Sequence, residues 1–115
     1  MNRCLRLRRS EDFARLRREG QVYRHSLMIV SVAPNGLPHN RYGFITAKRL
    51  GNAVRRNRIR RLLREAVRHQ HPAVKPGYDL VFIARPHVVG QPFNRVQDAV
   101  RDTLNRAALT LQTHD

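Results

Sequence analysis

The chain has 115 residues, carries 23 Lys and Arg against 8 Asp and Glu, and has a formal net charge of +15. A chain of this length fits one domain that buries enough apolar surface to fold without metal or disulfide staples. The lone Cys4 excludes an internal disulfide and has no partner set for zinc. No apolar run reaches membrane-spanning length, the longest being Leu27–Ala33 with a serine inside it. The arginines before Ser10 resemble the start of a signal peptide, but Glu11, Asp12 and Arg15 stand where its apolar stretch should be. The expectation is a soluble, cytoplasmic protein with no membrane partner. Self-repulsion at +15 destabilises a small domain, which points to a polyanionic partner, nucleic acid before a membrane surface. Only two of the 23 cations are lysines. Arginine forks onto phosphate and stacks on bases, so the bias fits structured nucleic acid, although GC-rich coding produces the same bias.

The first element is a short helix over Ser10–Gly20. Ser10 is placed to cap it, acids follow at its positive end, arginines sit toward its negative end, and Gly20 stops it. Phe13 and Leu16 share one face. Two strand-like runs follow, about Tyr23–Ala33, which is long enough to be two strands, and Tyr42–Ala47. The turn residues Pro34, Asn35 and Gly36 between them predict antiparallel pairing across the loop. A long helix is predicted from about Ala53 to Gln70, capped by Asn52 after a sharp turn at Gly51, and ended by Pro72, Pro76 and Gly77. Tyr78–Ala84 reads as a central strand, being apolar almost throughout. A last helix over Asn94–Leu111 places Val96, Val100, Leu104, Ala107 and Leu111 on one face. The order α-β-β-α-β-α makes one α+β domain over residues 1–115, a small mixed sheet with helices packed mainly on one side.

The long helix carries the charge. Residues 51–68 read GNAVRRNRIRRLLREAVR, seven arginines against one glutamate. At about 100° per residue, Ile59, Leu62, Leu63, Ala66 and Val67 form the core sector, and Asn57, Arg60, Arg61, Arg64 and Arg68 fall opposite. Arg58 lies on one flank. Arg56 falls close to the apolar sector and should emerge near the helix start, facing a different partner surface. Arg56, Arg60 and Arg64 repeat at i,i+4 with like charge, an arrangement that destabilises a free helix and is relieved by phosphates. Lys48 and Arg49 add charge before the turn, and the free N–H groups of the helix start favour anions. Asn57 is either a plain surface residue or a hydrogen-bonding contact to a phosphate, sugar hydroxyl or base. The six histidines are scattered. His69 and His71 are spaced i,i+2, which points their rings apart on a helix, so no metal site is expected. The acids form no visible catalytic cluster.

The run Lys48-Arg-Leu-Gly-Asn-Ala-Val-Arg-Arg56-Asn57-Arg58-Ile-Arg60-Arg61-Leu-Leu-Arg64-Glu65 resembles the signature of the bacterial ribonuclease P protein components. Weaker likeness extends to Glu11–Phe13, Arg41–Ala47 and Tyr78–Arg85. The resemblance implies a left-handed βαβ crossover. It implies the protein subunit of a ribonucleoprotein endoribonuclease whose RNA, using divalent metal such as magnesium, removes the 5′ leader from precursor tRNA. The protein itself is then a non-catalytic auxiliary, with no metal assigned to it and no obligate protein partner evident in its sequence. Its partners are the catalytic RNA and precursor tRNA. Arg56, Asn57, Arg58, Arg60, Arg61 and Arg64 carry over as RNA contacts, and Lys48, Arg49 and Asn52 more loosely. The family also uses a cleft between the first helix and the sheet, where aromatic side chains meet the single-stranded leader. Phe13 matches one such aromatic, with core packing as its equal alternative. Arg17 and Ser31 stand where some members carry aromatics, so leader binding here is expected to lean on charge more than on stacking. A structural RNA-binding protein of ribosomal type and a DNA-binding regulator are the other readings of a basic α+β domain. The long contiguous motif argues against both.

Overall fold

A computed structural model describes residues 5–111; Cys4 and His114 lie outside them. The elements are α1 (Ser10–Glu19), β1 (Gln21–Arg24), β2 (Met28–Pro34), β3 (Arg41–Ile45), α2 (Ala53–Gln70), β4 (Tyr78–Ala84) and α3 (Phe93–Arg106). The sheet order is β1-β2-β4-β3. β1 pairs with β2 and β2 with β4 in antiparallel register, while β3 runs parallel to β4. The first strand-like run is therefore two strands, reversed at His25–Leu27, where the Met28 carbonyl accepts from the His25 N–H at 2.8 Å.

The expected antiparallel pair across Pro34–Asn40 does not form, because β4 lies between β2 and β3. β4 is apolar on both faces and gains most by taking the central position, which only a crossover through α2 allows. Side chains alternate across the sheet. Val30, Val32, Leu80 and Phe82 face α2 and α3 and join Ile59, Leu63, Val67, Val96, Val100 and Leu104 in the main core. Ala33 and Val81 face the other way, against Leu7 and Leu16, with Phe13, Ile45 and Ile83 around them. Two helices thus cover one face, and α1 covers the other.

Ser10 is not the cap of α1. The helix already includes it, and Arg9 occupies the capping position without a side-chain bond. α3 ends at Arg106 rather than Leu111, because the chain reverses at Ala108 with φ 58°. Leu109 then enters the core at 3% exposure, and Leu111, predicted on the apolar face of the helix, is 46% exposed. Among the described residues no helix is long and apolar enough to cross a membrane.

Candidate nucleic-acid interface

The interface begins at the turn into α2. Leu50 is buried and anchors a single 3-10 turn over Lys48–Leu50, so Lys48 and Arg49 project into solvent. Gly51 follows at φ 132°, a backbone conformation other residues avoid, with the Arg55 stem lying across it. Asn52 caps α2 as expected, its Oδ1 accepting from the Arg55 N–H at 2.9 Å. Ile59, Leu63, Ala66 and Val67 are buried beneath the helix, and Leu62 is half-buried at the border.

The arginines divide among three directions. Arg60 and Arg64 do not point away from the sheet. They lean over the flank facing β3 and are half-buried there. Arg60 donates to Asn57 Oδ1 at 2.8 Å and to Thr46 Oγ1 at 2.7 Å, Thr46 being buried. The Arg64 guanidinium lies 5.9 Å from the centre of the Phe44 ring, which stacks in turn on Phe82. Burial, and then the charges of Arg6, Arg60 and Arg61, push the Arg64 guanidinium below its ordinary pKa. Asn57, Arg60, Arg61 and Arg64 line a groove of about 280 Å³ with no acid in its wall. Glu65, the acid of this helix, is occupied by Arg68 and His69. Arg58 lies on the far flank with Arg55. Arg56 is half-buried, as its position near the apolar sector predicts, and its Nε is buried without a hydrogen-bond partner.

Arg6 was not singled out from the sequence. Its chain segment forms a parallel bridge to Tyr42 on the outer edge of β3, which brings its charge toward Arg64. The signal available was the arginine-rich start of the chain, but only the sheet order shows that this segment lies beside α2.

The second region is the α1 face of the sheet. Phe13 is half-buried, and its ring lies so close over Gly43 that a Cβ there would stand 2.8 Å from it. Phe13, Leu16, Arg17, Ser31, Ile45, Val81 and Ile83 line an apolar cavity of about 60 Å³. Phe13 therefore packs on the sheet and lines this cavity at once. Arg17 is exposed at its rim. Ser31 is turned inward and donates to the Leu16 carbonyl at 3.1 Å.

Sequence reasoning missed Asp79. Its carboxylate is fully buried, accepts from Arg41 Nε at 2.8 Å and from Asn35 at 3.0 Å, and pairs with Arg15 at 2.6 Å. Burial pushes this carboxyl up, but the bonds and charge of Arg41, Asn35 and Arg15 outweigh it and hold it below the usual carboxylate range. The signal was there: an acid inside an apolar strand requires a partner. Among the described residues no three His, Cys, Asp or Glu side chains converge as a metal site. His69 pairs with Glu65, and His71 Nδ1 lies 2.7 Å from the Tyr42 hydroxyl, whose pKa burial raises to about 12.

The model of the family described as Ribonuclease P matches residues 1–108. A ribonuclease P protein component from Roseiflexus sp. (strain RS-1) is 46% identical, covering 100% of this chain and 94% of the relative. One from Chloroflexus aurantiacus is 44% identical over 95% of this chain and 82% of its own length. Among solved structures, the RNase P protein of Staphylococcus aureus superposes with a TM-score of 0.84 at 28% identity, over 92% of this chain and 97% of that one. The Thermotoga maritima RNase P protein superposes at 0.82 and 28% identity, over 88% and 96%. With the basic helix, the mixed four-stranded sheet and these relatives in agreement, the chain belongs to the family of bacterial ribonuclease P protein components.

Proposed function

We propose that this chain is the RNA-binding, non-catalytic subunit of its ribonuclease P, holding the catalytic RNA through α2 and the 5′ leader of precursor tRNA through the α1 cleft. Family membership makes it a protein component of ribonuclease P and so of tRNA processing. The observation that carries the finer reading is the convergence of Arg6, Arg60, Arg61 and Arg64 on one flank of a helix fixed to the core, without an acid in the groove wall. Such a cluster costs stability in the free protein and is relieved when phosphate oxygens enter it. Arg60 is held by Asn57 and Thr46, so its charge is in place before RNA arrives. The Asn57 carbonyl is occupied by Arg60, which leaves its amide N–H groups to donate to a phosphate, ribose or base.

In this reading cleavage chemistry belongs to the RNA, where bound divalent metal such as magnesium would supply the Lewis acid for phosphodiester hydrolysis. The protein positions the substrate, and the arginines of α2 neutralise phosphates of the bound RNA. The half-buried Phe13, Ile45 and Ile83 offer the leader an apolar surface, and Arg17 beside them offers it a cation. Reconstitution tests this directly. The chain, added to a bacterial ribonuclease P RNA at low magnesium, is expected to stimulate precursor-tRNA cleavage. Absence of stimulation would overturn the subunit assignment, and cleavage by the protein alone would overturn its non-catalytic status.

A further inference from the structure

A second groove runs along the opposite flank of α2. Its walls are Ile59, Leu62, Arg55 and Arg58 of the helix and Val88–Gln91 of the turn after β4, and it encloses about 280 Å³. It shares no residue with the groove of Asn57, Arg60, Arg61 and Arg64. The turn is pinned by three main-chain bonds, Val88 to Arg85, Val89 to Pro86 and Gln91 to Val88, with Gly90 at φ 80° at its tip. Val88 is buried and holds the turn down, which leaves Val89 37% exposed at the groove mouth.

An apolar floor under two exposed arginines has a definite chemistry. A volume of this size falls below that of pockets for drug-sized ligands and suits one flat ring system. No acid stands in its wall. The larger hollow beside it, about 420 Å³, has Asp98 and Asp102 as well as Arg95 in its wall and so is of mixed charge. We propose that the groove between α2 and the Val88–Gln91 turn receives one unpaired nucleotide of the bound RNA, the base against Leu62 and Val89 and its phosphate on Arg55 and Arg58. The RNA would then grip α2 from both flanks. This rests on the RNA-binding reading above. It adds Arg55 and Val89 to the interface, neither of which the charge stripe includes.

The test is the affinity of the full chain for a bacterial ribonuclease P RNA, with circular dichroism as the check on folding. Val89→Asp places a carboxylate at the groove mouth. Leu37→Asp makes the same charge change at a side chain that is 38% exposed, in the loop before β3 and outside both grooves. Val89→Asp is expected to weaken binding about tenfold, and Leu37→Asp about twofold or less. Val89→Ser, which removes the apolar contact without adding charge, is expected to weaken it in the same direction by less. Equal losses in the two aspartate variants, or unchanged affinity in both Val89 variants, would overturn the nucleotide pocket and leave RNA binding by α2 standing. A wild-type chain that does not bind the RNA overturns both. If Val89→Asp lowers binding to phosphatidylglycerol vesicles and leaves RNA affinity unchanged, the groove is a lipid face and the proposal falls.

Discussion

Asp79 is a carboxylate on the α1 face of an otherwise apolar strand, and three elements meet on it: Arg15 from α1, Arg41 from β3 and Asn35 from the loop before β3. Because its folded pKa is depressed, its stabilisation is full above the unfolded value of about 3.9 and is lost as pH falls through the lower folded value. Asp79→Asn should therefore destabilise the domain at neutral pH and flatten its acid unfolding. Breaking a fully buried pair costs about 3–5 kcal/mol. Arg15 and Arg41 keep about a quarter of their side chains in water, so the expected loss is nearer about 2–3 kcal/mol, read by urea denaturation at pH 7. An unchanged acid limb in the variant would remove Asp79 as its cause. Arg60 and Arg61 separate two roles that look alike in the sequence. Arg60 satisfies buried Thr46, so Arg60→Ala should cost about 1 kcal/mol of stability in addition to RNA affinity. Arg61 is exposed and adds only repulsion to its neighbours, so Arg61→Ala should lower RNA affinity without lowering the melting temperature. Equal melting temperatures for the two variants would show that the Thr46 bond contributes nothing to the fold. The sequence placed both on one charge stripe because helical spacing gives direction around an axis. It does not show that β3 comes up beside that flank.

At the scale of elements, the end of α1 lies close against β2 at Gly20. A methyl group at Gly20 would fall well inside contact distance of both Ser31 Oγ and the Leu16 carbonyl. Gly20→Ala should lift the end of α1 from β2 at a cost of about 1–3 kcal/mol. Adding Ser31→Ala should not restore stability, since the backbone clash with Leu16 remains; recovery in the double variant would place the strain at Ser31 alone. Helix α2 was legible to the residue, from Asn52 at its cap to Gln70, because cap, apolar beat and terminating prolines are all local signals. The central place of β4 was legible in its unbroken apolar run. The partners of β2 and β3 were not. Turn residues at Asn35 and Gly36 satisfy hairpin rules locally, yet Asn35 serves instead to reach Asp79, 44 positions away. Pairing between distant strands is decided by burial of the whole sheet, which no short window contains. The same limit hid Arg6, whose place beside Arg64 depends on β3 being an edge strand.

Over the whole molecule, the few acids are not spread to balance the +15 charge. Among the described residues Asp79 and Asp12 pair with Arg41, Glu19 with Arg15, Glu65 with Arg68, and Asp98 with Arg101. These pairs neutralise charge around α1, the end of α2 and α3. The cations at the start of α2 are left without acids in either groove wall. The fold therefore concentrates its uncompensated charge where it costs most in the free protein, and a multivalent anion should recover that cost. Pyrophosphate at low millimolar concentration is expected to raise the melting temperature by about 5 °C, the shift for a ligand held at roughly ten times its dissociation constant. Arg64→Ala, which removes one of the converging charges, should reduce the rise by about half while Arg101→Ala, on the neutralised side, leaves it intact. For RNA the same arrangement predicts a steep salt dependence. With about six phosphates contacted, affinity should fall by about a thousandfold between roughly 50 and 200 mM salt. A shallow slope together with a strong pyrophosphate shift would mean that the cluster binds small anions and that RNA is held elsewhere.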